Sequence, residues 1–307
     1  MPASDLRIVS LIPSATEIVA ALGLADHLVG RSHECDYPPQ IKNLPICTAA
    51  NLNADQPSHL IHKQVTALLQ SALSIYRLEL VQLERLKPTH ILTQAQCEVC
   101  AVSLVEVEEA LSQITDQNTQ IISLQPQMLD HVWHDIERVA IVLGCDSQPI
   151  LNSLQARITD CQQRLKDLQH PPTVVCLEWT DPLMVAGNWV PELVTLAGGH
   201  PCLGTVGQHS SWLTWEQLIA ANPDIIVCMP CGFDLAQTTQ ATVDLAQQSQ
   251  WQQLQAVQNQ QVYVVDGNQY FNRPGPRLVD STELLAEIFH PHLFPPRYAG
   301  HGWLKFH

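Results

Sequence analysis

Short apolar runs typical of buried strands alternate with amphipathic helical segments in both halves of the chain, and this alternation restricts the fold most. In the first half, LRIVSLI (6–12) precedes the helix-like PSATEIVAALGL, and in the second half TVVCLEW (173–179) precedes VPELVTLAGG (190–199). Strands that alternate with helices favour parallel sheets covered by helices on both faces. The sequence therefore predicts an α/β fold with Rossmann-like halves.

A stretch with helical spacing and no strand-like run, from Met128 to about Leu168, separates the two halves. The segment GCDSQP at 144–149 is the place where we expect this stretch to break or kink. We therefore predict two lobes joined by a long linker helix. Ligands of open α/β sheets bind beyond the carboxyl ends of the strands, so a ligand cleft between the lobes is expected. The predicted boundaries are an N-terminal lobe at 1–126, a linker region at 127–170 and a C-terminal lobe at 171–307.

The charge balance and the cysteine content restrict the partners and the compartment. Thirty acidic residues against fifteen basic ones give a formal charge of −15. Phosphate backbones and anionic membrane surfaces repel such a chain, which argues against nucleic acid as a partner. The opening MPASDLRIVSLIPSATE lacks the pattern of a signal peptide, and no apolar run is long enough to insert in a membrane. We therefore expect a cytoplasmic protein whose ten cysteines are mostly thiols.

Several segments carry a family resemblance that extends over nearly the whole chain, in the same order. RIVSLIPSATEIVAALGL followed by LVGRSHECDYPP resembles the opening of the cobalamin and iron-siderophore substrate-binding proteins of ABC importers. LERLKPTHILT, WEQLIAANPDIIV and FNRPGPRLVDSTELLAEI are similar to later landmarks of that family. The resemblance implies two Rossmann-like lobes joined by one long helix, a ligand held between them, and an ABC permease as the partner. It is strongest to the cobalamin-binding members.

The resemblance also implies the residues that bind the ligand. Two tryptophans suit a corrin, because indole faces bury a broad, flat ring with little loss of rotamer entropy. A packing role in the core is the alternative for both tryptophans. The turn at Ser14 fits a helix cap with Glu17 and leaves backbone N–H groups for an anionic ligand edge. The predicted ligand-binding residues are Ser14, Glu34, Gln94, Trp179, Trp212, Gln269 and Arg273.

Two features differ from the family pattern. Its members dock to the permease through one glutamate on each lobe, and Glu216 matches the second position. The first position falls near Val81, so the nearby Glu79 is the candidate there. The cobalamin binders also lack the insertion at about 52–78.

Two Cys-x-x-Cys pairs follow strand-like runs, Cys97 with Cys100 in the first half and Cys228 with Cys231 in the second. Together with Cys35 they would lie at strand ends near the predicted cleft. Three interpretations remain open: a zinc or iron site, a redox pair, and small residues that pack the loops. A variant of the metal-site interpretation is a direct bond from a thiolate to the cobalt of a corrinoid.

These observations predict a binding protein and not an enzyme. The first hypothesis is a protein that holds a corrinoid or another metal-containing ligand, linked to ABC-type uptake. The alternative is a cytoplasmic metal-binding or metal-delivery protein that uses the cysteines above for zinc or iron. An enzyme that acts on a tetrapyrrole ranks last, because no acid–base pair or nucleophile is legible in the sequence.

Overall fold

The computed structural model describes residues 6–70, 75–94, 107–109 and 119–307. The chain divides into two compact units, in agreement with the predicted α/β fold of two halves. The first unit comprises Met1–Gln56, Leu60–Pro126 and Asp130–Asn152, and the second comprises Pro57–His59, Gln127–Leu129 and Ser153–His307.

The first unit is built on a parallel sheet. Among the described residues its strands are β1 (Ile8–Ser10), β2 (Leu28–Arg31), β3 (Thr48–Ala50), β4 (Tyr76–Leu78), β5 (His90–Gln94) and β6 (Gln120–Leu124). Four of them form the main sheet, in the order β2-β1-β5-β6, and every pairing in it is parallel. Strands β1 and β5 are buried along their whole length, which explains their continuous apolar sequence.

Helices and a small two-stranded ribbon accompany this sheet in the described part of the unit. Among the described residues the helices include α1 (Pro13–Ala21), α2 (Ser58–Gln70) and α3 (Leu80–Leu86), with a short 3-10 turn at Ala25–His27 and another at Pro39–Asn43. Gly23 ends α1 with a φ of 78°, as its sequence position predicts. Strand β4 begins at Tyr76 and pairs antiparallel with β3. The insertion at 52–78 therefore contributes a helix and one strand of a two-stranded ribbon.

The helical stretch between the sheets is divided as GCDSQP predicts. It consists of α4 (Leu129–Leu143) and α5 (Gln148–Arg164). Gly144 has a φ of 73°, a conformation that ends a helix readily, and the Asp146 carboxylate accepts the backbone N–H of Gln148 at 2.9 Å. Two consecutive helices thus occupy the region where one long helix was expected.

The second unit has a larger mixed sheet. Among the described residues its strands are β7 (Thr173–Thr180), β8 (Leu183–Val185), β9 (His200–Pro201), β10 (Ser211–Trp212), β11 (Ile225–Cys228), β12 (Val262–Val265) and β13 (Trp303–Lys305). Their order is β10-β8-β7-β11-β12-β13, and β9 pairs with β7. The central pairs are parallel, as predicted, whereas β8, β10 and β13 add antiparallel edges that the sequence reading missed.

Helices cover the second sheet as well. They are α6 (Val190–Leu196), α7 (Trp215–Ala221), α8 (Leu235–Leu245), α9 (Gln255–Gln258) and α10 (Leu278–Phe289), with a 3-10 turn at Trp251–Gln253 and a π-helical turn at Gly267–Phe271. Thr214 and Asp234 start α7 and α8 with complete capping boxes. None of the helices in the described ranges is both long and apolar enough to cross a lipid bilayer.

A buried carboxylate fastens the C-terminal segment to α10. Glu287 is 3% exposed. Its Oε2 accepts the backbone N–H groups of Arg297 at 2.8 Å and Tyr298 at 2.9 Å. Its Oε1 accepts the backbone N–H of Ala299 at 3.0 Å and the indole N–H of Trp303 at 2.9 Å. One side chain therefore satisfies four donors of the segment that leads into β13.

Candidate functional site

The turn between β1 and α1 differs from the cap predicted for it. The helix begins at Pro13, and Ile12, not Ser14, is the N-cap residue, without a side-chain cap. Ser14 lies in the first helical turn, and its buried hydroxyl has no hydrogen-bond partner among the described residues. The predicted capping box with Glu17 is therefore wrong, because the chain enters the helix two residues earlier. A buried hydroxyl without a hydrogen-bond partner lowers the stability of the fold. Ser14 therefore stays a predicted ligand contact.

The loop after β2 is held in place by one arginine. Arg31 donates Nη1–H bonds to the carbonyl oxygens of Ser32 at 3.0 Å, His33 at 3.4 Å and Cys35 at 3.1 Å. Its Nη2 donates to the carbonyl of Lys42 at 2.9 Å. A planar guanidinium that bonds to several carbonyls of one loop restricts that loop to a single shape.

This loop presents Glu34, a predicted ligand residue, beside Tyr76 of the inserted segment. The Tyr76 hydroxyl donates to Glu34 Oε1 at 3.0 Å, and the Glu34 backbone N–H donates to Ser32 Oγ at 3.3 Å. The insertion could be predicted from the sequence, whereas the contact of Tyr76 with Glu34 could not, because only strand pairing brings residue 76 back to residue 34. Gln94, a further predicted residue, is buried at the end of β5.

The His33 imidazole lies between the same loop and the ribbon. Its Nδ1 is 2.7 Å from Thr48 Oγ1, and its ring centroid is 5.4 Å from that of Tyr76. Burial lowers the pKa of His33, and the neighbouring charges of Arg31 and Arg77 lower it further. The side chain is therefore neutral at neutral pH.

In the second unit, the two predicted tryptophans lie in one row across three strands. Trp179 on β7 pairs with Met184 on β8, and Trp212 on β10 pairs with the same Met184. Directly opposed residues of antiparallel strands project from the same face of a sheet. The structure therefore brings Trp179 and Trp212 together on either side of Met184.

An irregularity in β7 sets the face from which Trp179 projects. The register shifts between Leu177, which pairs with Val185, and Trp179, which pairs with Met184. Because Val185 and Met184 alternate, Leu177 and Trp179 project from opposite faces. Leu177 and Val185 belong to the hydrophobic core cluster of this unit, so Trp179 lies on the other face.

The two tryptophans differ in exposure. Trp179 is 9% exposed, packs against Phe233 at a ring distance of 5.3 Å, and donates its indole N–H to the Asp181 carbonyl at 3.1 Å. Trp212 is 57% exposed. An exposed indole next to a fixed one offers an apolar surface for a flat ligand.

The remaining predicted ligand residues of this unit surround the π-helical turn. Asp266 accepts the backbone N–H of Gln269 at 2.7 Å, and burial raises the pKa of Asp266. Arg273 is 3% exposed and donates from Nη2 to Asn268 Oδ1 at 3.1 Å. Gln269 is half-buried and Arg273 is inside the protein, so Arg273 holds the turn in shape.

The cysteines predicted as metal ligands differ in burial. Cys228 is fully buried in the core cluster, and burial raises the pKa of its thiol to about 12. Cys35 is also buried, and its sulfur accepts the Thr16 hydroxyl at 3.0 Å, so it anchors the loop to α1. Cys231 is half-buried, and Cys97 and Cys100 lie outside the described residues. Over the described ranges, no three His, Cys, Asp or Glu side chains form a group that could hold a metal ion.

The two predicted docking glutamates occupy the starts of helices. Glu216 is exposed in the first turn of α7. Its own backbone N–H and the Thr214 hydroxyl hold its pKa below the ordinary value. Glu79 precedes α3 and lies 3.4 Å from Arg77, measured from Oε1 to Nε, whereas Val81 is 63% exposed.

Comparison with known protein families assigns the chain. The family model described as periplasmic binding protein matches residues 8–268. This chain belongs to the periplasmic binding protein family. The matched range contains every ligand residue predicted above except Gln269 and Arg273, which lie one and five residues beyond its end.

Curated relatives of this periplasmic binding protein match over nearly its full length. It is 26% identical over 290 residues to a vitamin B12-binding protein of Vibrio cholerae, which covers 91% of this chain and 87% of that relative. It is 24% identical over 300 residues to an uncharacterized ABC transporter substrate-binding lipoprotein of Bacillus subtilis, with 94% and 81% covered.

Solved structures share the fold of this periplasmic binding protein. A periplasmic heme-binding protein from Roseiflexus sp. RS-1 superimposes with a TM-score of 0.69 at 22% identity, over 94% of this chain and 99% of the other. The periplasmic vitamin B12-binding protein of Vibrio cholerae gives a TM-score of 0.62 at 23% identity, over 94% and 98%.

Proposed function

We propose that this periplasmic binding protein binds a corrinoid or another metal-containing tetrapyrrole and is linked to an ABC-type permease. Its relatives include proteins named for binding vitamin B12 and heme, and one named as a substrate-binding component of an ABC transporter. The observation that supports a flat ligand most directly is the row of Trp179, Met184 and Trp212. The outer members of the row are two strand spacings apart, about 10 Å, which is comparable with the width of a planar macrocycle.

Trp212 is the residue with which to test this proposal. Its exposure means that Trp212→Ala removes contact surface without leaving a core cavity. Loss of an aromatic anchor costs about 2 kcal/mol, or about 30-fold in affinity. Tryptophan fluorescence titrations with hydroxocobalamin, cobinamide and hemin should show quenching for the unaltered protein, and binding about 30-fold weaker for the variant.

Leu304→Ala provides the control, because Leu304 is a 41% exposed apolar residue of the same unit, on β13. This variant should bind as the unaltered protein does. Equal affinities for all three proteins would contradict the assignment of the row to the ligand. No quenching by any of the three compounds would contradict the proposed function itself.

We also propose that the protein works in a reducing compartment, the cytoplasm. Ten cysteines are present, and no disulfide joins the eight that the structure describes. Disulfides are rare in the cytosol and common in exported proteins. Cell fractionation, with thiol counting of the denatured protein, should find ten thiols and a cytoplasmic location, whereas recovery from an exported fraction would refute this proposal.

Glu216 and Glu79 are the proposed permease contacts. Each carboxylate lies at the start of a helix, in the first turn of α7 and just before α3. If Glu216 pairs with an arginine of the permease, Glu216→Lys should abolish stimulation of the permease ATPase in proteoliposomes and leave ligand binding unchanged. Stimulation equal to that of the unaltered protein would contradict this contact.

A further inference from the structure

A cavity of about 380 Å³ opens on the second unit, where the turn between β7 and β8 meets the start of α7 and the end of α8. Its volume lies in the range of about 300–1,000 Å³ that is usual for small-molecule sites. Leu183, Leu213 and Leu245 form an apolar wall, and all three belong to the hydrophobic core cluster. Every described residue that lines the cavity belongs to the second unit. The cavity therefore offers room and apolar surface to part of a small molecule.

The cavity is separate from the row of tryptophans. On β8, Leu183 precedes Met184, so the two side chains project from opposite faces of the sheet. Trp179 and Trp212 both pair with Met184, whereas Leu183 lines the cavity. A molecule in the cavity therefore does not occupy the surface proposed above for the tetrapyrrole.

Two buried hydroxyls also line the cavity. Ser58 is 7% exposed and Thr180 is 4% exposed, and their oxygen atoms lie 3.1 Å apart. One hydroxyl donates to the other, and each oxygen has two lone pairs, so the pair can still accept N–H groups. Ser58 lies in the inserted segment at 52–78, so the insertion supplies part of this cavity.

The charged groups at the cavity are acidic. The carboxylates of Asp181, Glu216 and Asp244 line it, and no lysine or arginine is found among its described lining residues. His59 is the further ionisable side chain of that set. Three carboxylates around one cavity repel anions and attract cations.

The end of α8 strengthens this preference for a cation. Asp244 lies in the last turn of the helix, directly before its final residue Leu245. The carbonyl end of a helix carries a partial negative charge, so a carboxylate is unfavourable there and a cation is favourable. Asp244 Oδ1 accepts an N–H of Gln240 Nε2 at 3.0 Å, which orients the carboxylate. A cation in the cavity offsets the repulsion between Asp244 and the helix end.

We propose that this cavity binds a small aliphatic cation, an amine or a guanidine on an apolar stem. The inference goes beyond the proposed function, because it concerns a second site with a different class of ligand. The stem packs on the three leucines and on the half-buried indole of Trp215, a ring type that also attracts cations. The cationic group lies among the carboxylates and donates N–H bonds to them and to the two hydroxyls.

Calorimetric titration of the full chain with putrescine and with agmatine tests this proposal. 1,4-Butanediol is the matched neutral compound, because it has the carbon chain of putrescine without its charges. We expect one saturable site for at least one of the two amines, binding that weakens as the salt concentration rises, and no binding of the diol. No saturable binding of either amine, or equal binding of the diol and putrescine, would overturn the proposal.

Three variants locate the site. Asp181→Asn and Asp244→Asn each remove one charge and should weaken amine binding about 2- to 5-fold, as expected for an exposed ion pair. Ala241→Phe places a ring in the cavity and should abolish amine binding. Asp167→Asn is the control, because it removes an exposed carboxylate of the same unit that does not line the cavity. Amine binding that is equally strong in all four variants would show that the amine binds elsewhere.

Two further measurements separate this site from the other proposed roles. Binding of hydroxocobalamin or hemin should be unchanged in the variants, and together with circular dichroism it shows that they are folded. The amine result and the tetrapyrrole result can therefore fail independently. If the unaltered protein binds neither amine and Asp244→Asn lowers stimulation of the permease ATPase, the cavity is part of a docking surface and the proposal is wrong.

Discussion

Glu287→Gln keeps the size and shape of the side chain. It should nevertheless be among the most destabilising substitutions of this kind in the protein. The carboxylate accepts two N–H groups at each oxygen, four in all. A carboxamide has one oxygen and one NH₂ group. Whichever way the amide of the variant turns, its NH₂ faces two N–H donors that it cannot satisfy.

The magnitude follows from this count. A hydrogen bond to a charged group contributes about 1.5–3 kcal/mol, and a buried donor without a partner adds its own desolvation cost. The loss of two such bonds gives about 3–6 kcal/mol. Some relaxation of the segment from Arg297 to Trp303 reduces this figure, so we expect a loss of about 3–5 kcal/mol, as for other broken buried charge networks.

Urea unfolding followed by tryptophan fluorescence measures this loss, since Trp303 reports on the anchored segment. Asp167→Asn makes the same carboxylate-to-amide change at an exposed position of the same unit and should alter the unfolding free energy by less than about 0.5 kcal/mol. A Glu287→Gln loss below about 1 kcal/mol would refute the view that the carboxylate anchors the C-terminal segment.

Three further predictions concern histidine, glycine and cysteine. Burial lowers the pKa of His290, so the unfolded chain binds its proton more readily than the folded one does. The unfolding free energy should therefore fall as the pH decreases from about 7.5 to about 5.5, and it should fall less steeply in His290→Gln. Gly187→Ala should lower the Tm, because its Cβ would lie 2.4 Å from the Gln208 carbonyl oxygen; an unchanged Tm would show that the loop yields freely. Cys228 should resist alkylation in the native protein and react after unfolding, as peptide mapping would show, because its thiol is buried.

The main strands could be predicted because strands buried on both faces of a sheet have continuously apolar sequences. The predicted run at 6–12 contains β1 (Ile8–Ser10), which is buried along its whole length. Such runs have no polar face, so their composition alone reveals them. The break between α4 and α5 could also be predicted, because Gly144 adopts a conformation that glycine favours.

Short elements and long-range pairings could not be predicted in the same way. Strands β8 and β10 have three and two residues, too few for any periodicity to show. The row of Trp179, Met184 and Trp212 depends on a register shift that no local pattern encodes. Helix α8 is different, because the capping box of Asp234 and Gln237 is visible in the sequence and was overlooked.

The contacts within the candidate site also depend on long-range pairings that the local sequence does not reveal. Glu34 was found through the family resemblance, whereas its contact with Tyr76 depends on the pairing of β3 with β4. The cap at Ser14 was predicted wrongly because the helix begins at Pro13, and a hydroxyl inside the first helical turn cannot cap the helix. The burial of Cys228 could not be predicted from the spacing of the cysteines.

The most direct test of the central claim is native mass spectrometry, together with an absorption spectrum, of the protein isolated from its own host. We expect a fraction of the chain to carry one metal-containing tetrapyrrole, with matching visible bands. A chain that carries a bare metal ion or an unrelated molecule, and that takes up neither hydroxocobalamin nor hemin when these are added, would contradict the account.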